Sequence, residues 1–277
     1  MEALKNEILR NLKKSSDAAR LFHGRGEAFD GLSHINIDFF EPSVLITAYQ
    51  DSSDELIENI TKAIVESLGD RAQNILLQKR FQKLAPTEVL KGSIEEDKIT
   101  AESNLKYHLN LGKHQNIGFF LDMKELRSYL RERSKNKKFL NLFSYTGAFS
   151  VVAVEGGADL SVNFDLSRNS LNTARKNHLL NKHDISKVRF FANDILKSYG
   201  KMKKYGPFDF IVLDPPSDQG SSFKIERDYK KVVRRLSEFL NEGGEVLACM
   251  NSPHHSHDFL HEIFVEHAPS LKFVEKL

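Results

Sequence analysis

The chain has a single cysteine, Cys249, in 277 residues. An internal disulfide and a cysteine-based zinc site are thereby excluded, and the chain suits a reducing cytosol. No apolar run approaches the roughly 20 residues of a membrane-spanning helix. The opening MEALKNEILRNLKKSS has no apolar core followed by a small-residue cleavage site, so it does not read as a secretory signal. Neither sign of charge is in large excess: 40 Lys+Arg face 38 Asp+Glu, a net +2. That excludes a uniformly basic nucleic-acid coat while leaving room for local basic patches. No repeat or low-complexity stretch stands out. What is present, 40% hydrophobic and 28% charged residues, is the mix of a folded chain. At roughly 150 residues per domain, two domains are expected.

Residues 1–115 read as a small mixed α/β unit. Leu4, Ile8, Leu9 and Leu12 recur at helical spacing within a short helix over 1–14. ARLFHGRGEAFDG is glycine-rich and reads as irregular. HINIDFF and SVLITAYQ, separated by Glu41-Pro42, predict a hairpin. SSDELIENITKAIVESLG predicts a helix with a Ser/Asp cap, closed by Gly69. NILLQKR and LKYHLNL predict strands, with a loop or short hairpin between them.

Residues 116–277 alternate strand and helix. KKFLNLFSY, LSVNFDLS, KVRFFAND, FDFIVLDPP and EVLACMN predict strands, with KFVEKL as a last short one. AFSVVAVEGG, SLNTARKNHLLN, RDYKKVVRRLSEFLNEGG and SHDFLHEIFVEHA predict the helices. The expected fold is therefore α/β, a Rossmann-like doubly wound parallel sheet behind a small N-terminal mixed α/β domain. In such sheets ligands bind at the carboxyl ends of the strands, near the switch in strand order.

The first strand end carries Asn141, Phe143, Ser144, Tyr145, Thr146 and Gly147 before a helix start, whose amides suit an anionic group. Only Gly147 falls in the turn, so the G-x-G-x-x-G of a hydride-transferring dehydrogenase is missing. The second end carries Asp165, Leu166 and Ser167. An acid at about this distance from the glycine turn commonly accepts bonds from a ribose diol, although Asp165 and Ser167 would also serve as helix caps. Asn193 and Asp194 close the third strand; taken alone they fit a turn or cap better than an adenine contact. Asp214, Pro215, Pro216 and Ser217 close the fourth, and two prolines make a rigid corner of fixed carbonyls that can hold a planar base. Together the four ends describe a pocket for a nucleoside with an amino-acid tail.

QNIGFFLDMKELR (115–127), FLNLFSYTGAFSV (139–151), NFDLSRNSL (163–171), FFAND (190–194), FDFIVLDPPS (208–217) and FLNEGGEVLACMNS (239–252) make the chain resemble the class I S-adenosylmethionine (SAM)-dependent methyltransferases. Within them it is similar to the K/I type that modifies bases of large-subunit (23S) ribosomal RNA. ARLFHGRGEAFDGL (19–32) resembles the start of the domain that precedes the catalytic unit there. The resemblance implies a cytoplasmic enzyme with SAM as cofactor and RNA as partner. It further implies that the first loop and Asp165 hold the tail and ribose, that Asn193 and Asp194 face the adenine, and that Phe119, Asp122 and Arg127 line the cofactor from the domain junction.

The chain departs from that pattern in two places. Many members begin with an RNA-binding PUA domain, for which residues 1–115 leave no room. Members methylating cytosine C5 carry Cys-x-Cys after the fifth strand, where this chain has Cys249-Met250-Asn251. Attack on cytosine C6 needs a thiolate, whereas a lone cysteine in an apolar strand is usually core. Guanine N7 is therefore favoured over cytosine C5. The competing readings are a non-catalytic SAM-fold module binding RNA or protein, and an N-methyltransferase on another planar amide or amine. The latter is weakened because Ser217 stands where those enzymes usually carry an aromatic residue. Cations cluster at 124–138 and 224–235, which tilts the reading towards RNA. His254, His255 and His257 read as a solvated loop, not a metal site. With KFVEKL ending the sequence, no seventh strand remains. Either the chain is part of a longer protein, or 272–277 packs differently, for instance by pairing with another copy in a homo-oligomer.

Overall fold

The computed structural model describes all residues except 13–15, 26–28, 113–114, 217–221, 251–256 and 277. It divides into two compact units, Met1–Leu121 and Asp122–Leu277, so 116–121 belong with the first.

In the first unit, α1 (Glu2–Asn11) precedes β1 (Ala19–His23), β2 (Ile35–Phe40) and β3 (Ser43–Ala48). Then follow α2 (Asp54–Leu68), β4 (Asn74–Lys79), β5 (Thr87–Lys91), β6 (Lys98–Glu102) and β7 (Leu105–Leu109). The five-stranded sheet runs β1-β2-β3-β4-β5, antiparallel except for the parallel β3–β4 pair, and β6–β7 form a separate hairpin. The β2–β3 hairpin turns at Glu41-Pro42 as the pattern predicts. Ser53 caps α2 by accepting from the Leu56 N–H, and Ile57, Ile60, Ile64 and Leu68 bury its apolar stripe against the sheet beside Leu4 and Ile8 of α1. The segment read as irregular contains β1, which pairs with β2 and buries Leu21 and Phe22.

The second unit runs α3 (Lys124–Arg133), β8 (Lys138–Leu142), α4 (Ala148–Glu155), β9 (Leu160–Asp165), α5 (Arg168–Leu180) and β10 (Val188–Ala192). It continues with α6 (Tyr199–Tyr205), β11 (Phe208–Leu213), α7 (Ile225–Val233), β12 (Leu240–Ala248) and α8 (His257–His267). Its sheet is parallel throughout, in the order β10-β9-β8-β11-β12. The chain winds outward from β8 to β10, then returns to place β11 on the other flank of β8. The switch point therefore lies between β8 and β11. Alternating side chains explain the double cover. Leu140, Leu142, Val162, Phe164, Ile211 and Leu213 share a core with Tyr229, Val232 and Val233 of α7 and Ile263 of α8. Asn141, Ser161 and Asn163 turn the other way, towards Ser150 of α4 and His178 of α5.

Two sequence readings need correction. The helix expected over 227–244 ends at Val233; a 3₁₀ turn follows at Leu236–Glu238, and β12 already starts at Leu240. The stripe continues correctly through Leu236, which is fully buried, but in the tighter turn. The last strand expected at KFVEKL does not form among the described residues 272–276, where Phe273 is 69% and Val274 81% exposed.

The polar face of the sheet holds a buried network. Asn163 Nδ2 donates to Ser150 Oγ at 3.0 Å, Ser150 Oγ meets His178 Nε2 at 2.8 Å, and His178 Nδ1 faces His183 Nδ1 at 3.0 Å. Burial, with the His183 and Arg175 charges, pushes His178 down from 6.5 to about 3. As pH falls through 6.5 the unfolded chain takes up a proton here that the folded chain refuses until about 3. This histidine's contribution is therefore full above that range and lost progressively below it. Urea midpoints should fall between about pH 6.5 and 4, and His178→Gln should make the fall shallower. Identical slopes in both proteins would show that His178 is not held neutral.

Candidate functional site

The carboxyl ends of β8, β9, β10 and β11 converge at the switch point, and the residues singled out there come together. The β8–α4 loop is tightly wound. Phe143 (φ 59°) and Tyr145 (φ 47°) both sit in the left-handed region, as does Gly147 (φ 73°). Bulky side chains rarely adopt this conformation, and where they do the surroundings hold them. Here the loop is pinned from three sides. Ser144 N–H donates to the Phe164 carbonyl at 2.9 Å, Tyr145 N–H to Asp165 Oδ2 at 2.8 Å, and Asn177 Nδ2 to the Thr146 carbonyl at 2.9 Å. A Cβ on Gly147 would lie 2.8 Å from that of Ala174, so α4 and α5 approach too closely for a larger residue.

Asp165 ties this loop to the next. Its Oδ1 accepts from Ser167 N–H at 2.7 Å, while Ser167, not Asp165, caps α5 by accepting from Ser170 N–H. Burial pushes the Asp165 carboxyl up, against two backbone N–H bonds that pull it down. Asp194 caps the turn after β10, accepting from Leu196 N–H at 2.9 Å, and Asn193 Oδ1 accepts from Lys201 at 2.9 Å. A shallow recess opens here, lined by Phe143, Leu166, Asp194, Ile195, Leu196, Ser222 and Phe223. Phe143 and Phe223 meet edge-on at 4.8 Å. The recess has apolar walls and one carboxylate, with Leu166 exposed.

Asp214 follows β11. Burial, and the charge of Asp122 beside it, push its carboxyl up to about 7. Two acids close enough to repel, with no cation paired to either among the described residues, favour a positively charged ligand, since its arrival would relieve the repulsion. Cys249 lies near the same pair. Burial, then the charges of Asp214 and Asp122, push its thiol well up, and Tyr229 Oη donates to its carbonyl at 3.2 Å.

The remaining candidates distribute as follows. Asn141 is fully buried inside β8 beneath the loop, where it donates to Asn163 at 3.1 Å. Arg127 is 2% exposed on α3. Pro215 and Pro216 follow Asp214 directly. Phe119 belongs to the first unit, its ring 4.5 Å from that of Tyr107. Ser217, His254 and His255 lie outside the described residues, as does the His257 side chain. Among the described residues no metal-binding cluster occurs, and no helix is long and apolar enough to cross a membrane.

The two basic clusters lie only partly at the strand ends: Lys224 follows Phe223 of the recess, while other members lie farther off or are paired with acids. Lys138 opens β8 at the opposite end of the sheet, Lys137 reaches Asp209 at 3.9 Å and Arg131 pairs with Glu155 at 3.2 Å. In the second cluster Arg227 and Lys231 close on the buried Asp228 at 2.6 and 2.8 Å, and Arg235 pairs with Glu238. Sequence reasoning missed Asn177 and Phe223. Asn177 had a signal, a polar residue on the buried Leu171–Ala174–His178 stripe of α5.

The profile of the S-adenosylmethionine-dependent methyltransferases matches residues 19–277. The chain belongs to this family. It is 29% identical over 250 residues to ribosomal RNA large subunit methyltransferase I of Aliivibrio fischeri, covering 87% of this chain and 63% of that protein. It is 32% identical over 198 residues to ribosomal RNA large subunit methyltransferase K of Neisseria meningitidis, covering 68% and 55%. The crystal structure of SMU.776, named as a methyltransferase and complexed with SAH, superposes with TM-score 0.84 at 26% identity, covering 94% of this chain and 68% of that one. The chain spans between 57% and 66% of the length of the first four curated relatives. SAM is the cofactor of the family, and the residues present fit it: an unpaired carboxylate couple for its positive charge, an apolar recess with an acid, and the buried Ser144 Oγ with no hydrogen-bond partner among the described residues.

Proposed function

We propose that this methyltransferase acts on a base of large-subunit ribosomal RNA in the cytoplasm, with guanine N7 as the accepting atom. The observation that carries the reading is the Asp122–Asp214 couple at the switch point, a negative site that no cation of the described chain satisfies. The relatives named as ribosomal RNA large subunit methyltransferases supply the substrate class.

When bound, SAM supplies an electrophilic methyl group on a positively charged sulfur. Asp165, its oxygens fixed by the Tyr145 and Ser167 N–H groups, keeps lone pairs free for a ribose diol. Asp194, Leu166, Phe143 and Phe223 form the walls for the adenine, beside Asn193. Asp122 and Arg127 complete the cofactor set with the loop 141–147, and Leu166-Ser167 shapes its edge. Asp214 to Ser217 present the target base. Guanine N7 carries its own lone pair, so the charge passes from sulfur to the purine without a base or a nucleophile. The protein's part is alignment and exclusion of water.

The Cys249 thiol supports N7 over cytosine C5, because burial beside two carboxylates disfavours the thiolate that C5 chemistry needs. Cys249→Ser should keep methyl transfer within about threefold, with a modest stability loss from a hydroxyl in the strand end. A covalent RNA adduct trapped on Cys249 would restore cytosine C5. The proposal as a whole is tested by incubating the protein with SAM and large-subunit ribosomal RNA, free or assembled, and mapping nucleosides by mass spectrometry. 7-Methylguanosine is the expected product. 5-Methylcytidine overturns the base assignment, and SAM binding without any RNA methylation favours the non-catalytic module.

A further inference from the structure

The cations of the second unit that remain unspent lie where the sequence reading did not look. Between residues 168 and 204 the chain carries ten Lys and Arg against two acids, Asp184 and Asp194. Carboxylates hold two of the ten: Lys197 on Asp194 at 3.7 Å and Lys203 on Glu238 at 2.6 Å. The others make no ion pair among the described residues, whereas acids hold six of the thirteen cations at 124–138 and 224–235: Arg131, Arg133, Lys137, Arg227, Lys231 and Arg235.

Their arrangement follows the fold. β10 is the outer strand on this flank of the sheet. Its Phe190 and Phe191 point to opposite faces, and each is roofed by a cation: the Arg175 guanidinium lies 5.0 Å from the Phe190 ring, and Lys201 Nζ 4.7 Å from Phe191. Arg168, Arg175 and Lys182 recur every seventh residue along α5 and its end, so they fall on one stripe. Lys176 and Lys204 are exposed alongside. The strip starts where Arg168 opens α5, directly after the Asp165–Ser167 corner, and runs the length of β10, about 17 Å at 3.3 Å per residue.

We propose that this strip, formed by α5, the outer edge of β10 and α6, is a track for the RNA phosphate backbone leading to the pocket; the proposal rests on the RNA reading above. Edge strands also use lysine and arginine to block strand addition, but that role needs charge on the strand itself. Here most of the charge stands on the flanking helices, held out over aromatic rings at two points. Phosphate binding by such cations releases counterions and is read directly from salt dependence.

The test uses the full chain and a variant, Arg175→Gln with Lys176→Gln, Lys182→Gln and Lys204→Gln, none of which is assigned to the cofactor pocket. A control of similar charge loss at the opposite end of the sheet carries Lys135→Gln, Lys137→Gln and Lys138→Gln. Binding to in vitro transcribed large-subunit ribosomal RNA is measured across a KCl series, with SAM affinity and thermal unfolding as checks. Each lost phosphate contact should lower the salt slope by about 0.7–0.9. The expected result is a slope reduced by about two or more in the strip variant and by less than one in the control, with SAM affinity unchanged. Equal slopes in strip variant and control overturn the track. So does an unchanged slope accompanied by self-association of the strip variant, which would assign the cations to edge protection. If wild type itself neither binds nor methylates the RNA, the RNA reading fails; if it methylates and the strip variant matches it, the track alone fails. Should the fourfold variant unfold, Lys176→Gln with Lys204→Gln, which removes no ring contact, gives the same readout at half the amplitude.

Discussion

Asp165→Ala should weaken SAM binding by more than tenfold. A hydrogen bond to a buried charged acceptor is worth about 1.5–3 kcal/mol, one to two decades in affinity. Asp165 is 8% exposed and accepts from two loop N–H groups at 2.7 and 2.8 Å. The substitution therefore also frees the Tyr145 N–H, in a loop already wound through the left-handed region. Asp165→Asn separates the two effects, because it keeps one acceptor for the loop and discards the charge. Calorimetry should give Ala as the worse of the two, with both weaker than wild type. Unchanged affinity in folded Asp165→Ala would remove this residue from the site.

The second large effect is a pH dependence. Desolvation, and then the charge of Asp122, push the Asp214 carboxyl up to about 7. Its raised value means that the folded chain holds a proton the unfolded chain has released above about 4, so this group opposes folding increasingly as pH rises to about 7. A positively charged ligand beside the couple favours the ionised form. SAM binding should then expel a proton below pH 7, and affinity should fall by up to tenfold per unit as the medium becomes more acidic. Asp214→Asn should flatten that dependence and bind more weakly at pH 8. Titration calorimetry in buffers of different ionisation enthalpy measures the expelled proton. A flat profile in wild type would sink the assignment of charge to this couple.

Much of the second unit was legible because its strands are interrupted in a readable way. NLFSYTG, NFDLS and LDPP each pass from apolar residues to polar, glycine or proline residues where a parallel strand must stop. Other features were not visible for identifiable reasons. TEVLK forms β5 at a sheet edge with little buried surface, so it carries no clear alternation. Gly24 and its neighbours masked ARLFH, a strand of only five residues. The Asp122–Asp214 couple joins residues 92 positions apart (214 − 122) through the fold alone. Cation density was plain in the sequence, but for the 124–138 cluster two of the acids that neutralise it, Asp209 and Glu155, are contributed from elsewhere. A count of lysines in a window cannot distinguish a paired helix face from an open one.

The reluctance of Cys249 to ionise has a practical side. Thiol-directed dyes react with thiolates, and the chain's single cysteine is half-buried with its thiol pushed well up, towards the protonated form. A cysteine introduced on an open surface would consequently be the preferred point of attachment. The wide bulge where β12 leaves β11, between the Phe208–Leu240 and Phe210–Glu245 pairs, offers one in Glu242→Cys, exposed and beside a Gly243 with open space around it. It lies at the amino ends of the strands, across the sheet from the pocket. A fluorophore or spin label there would report on the second unit without altering the chain's native thiol.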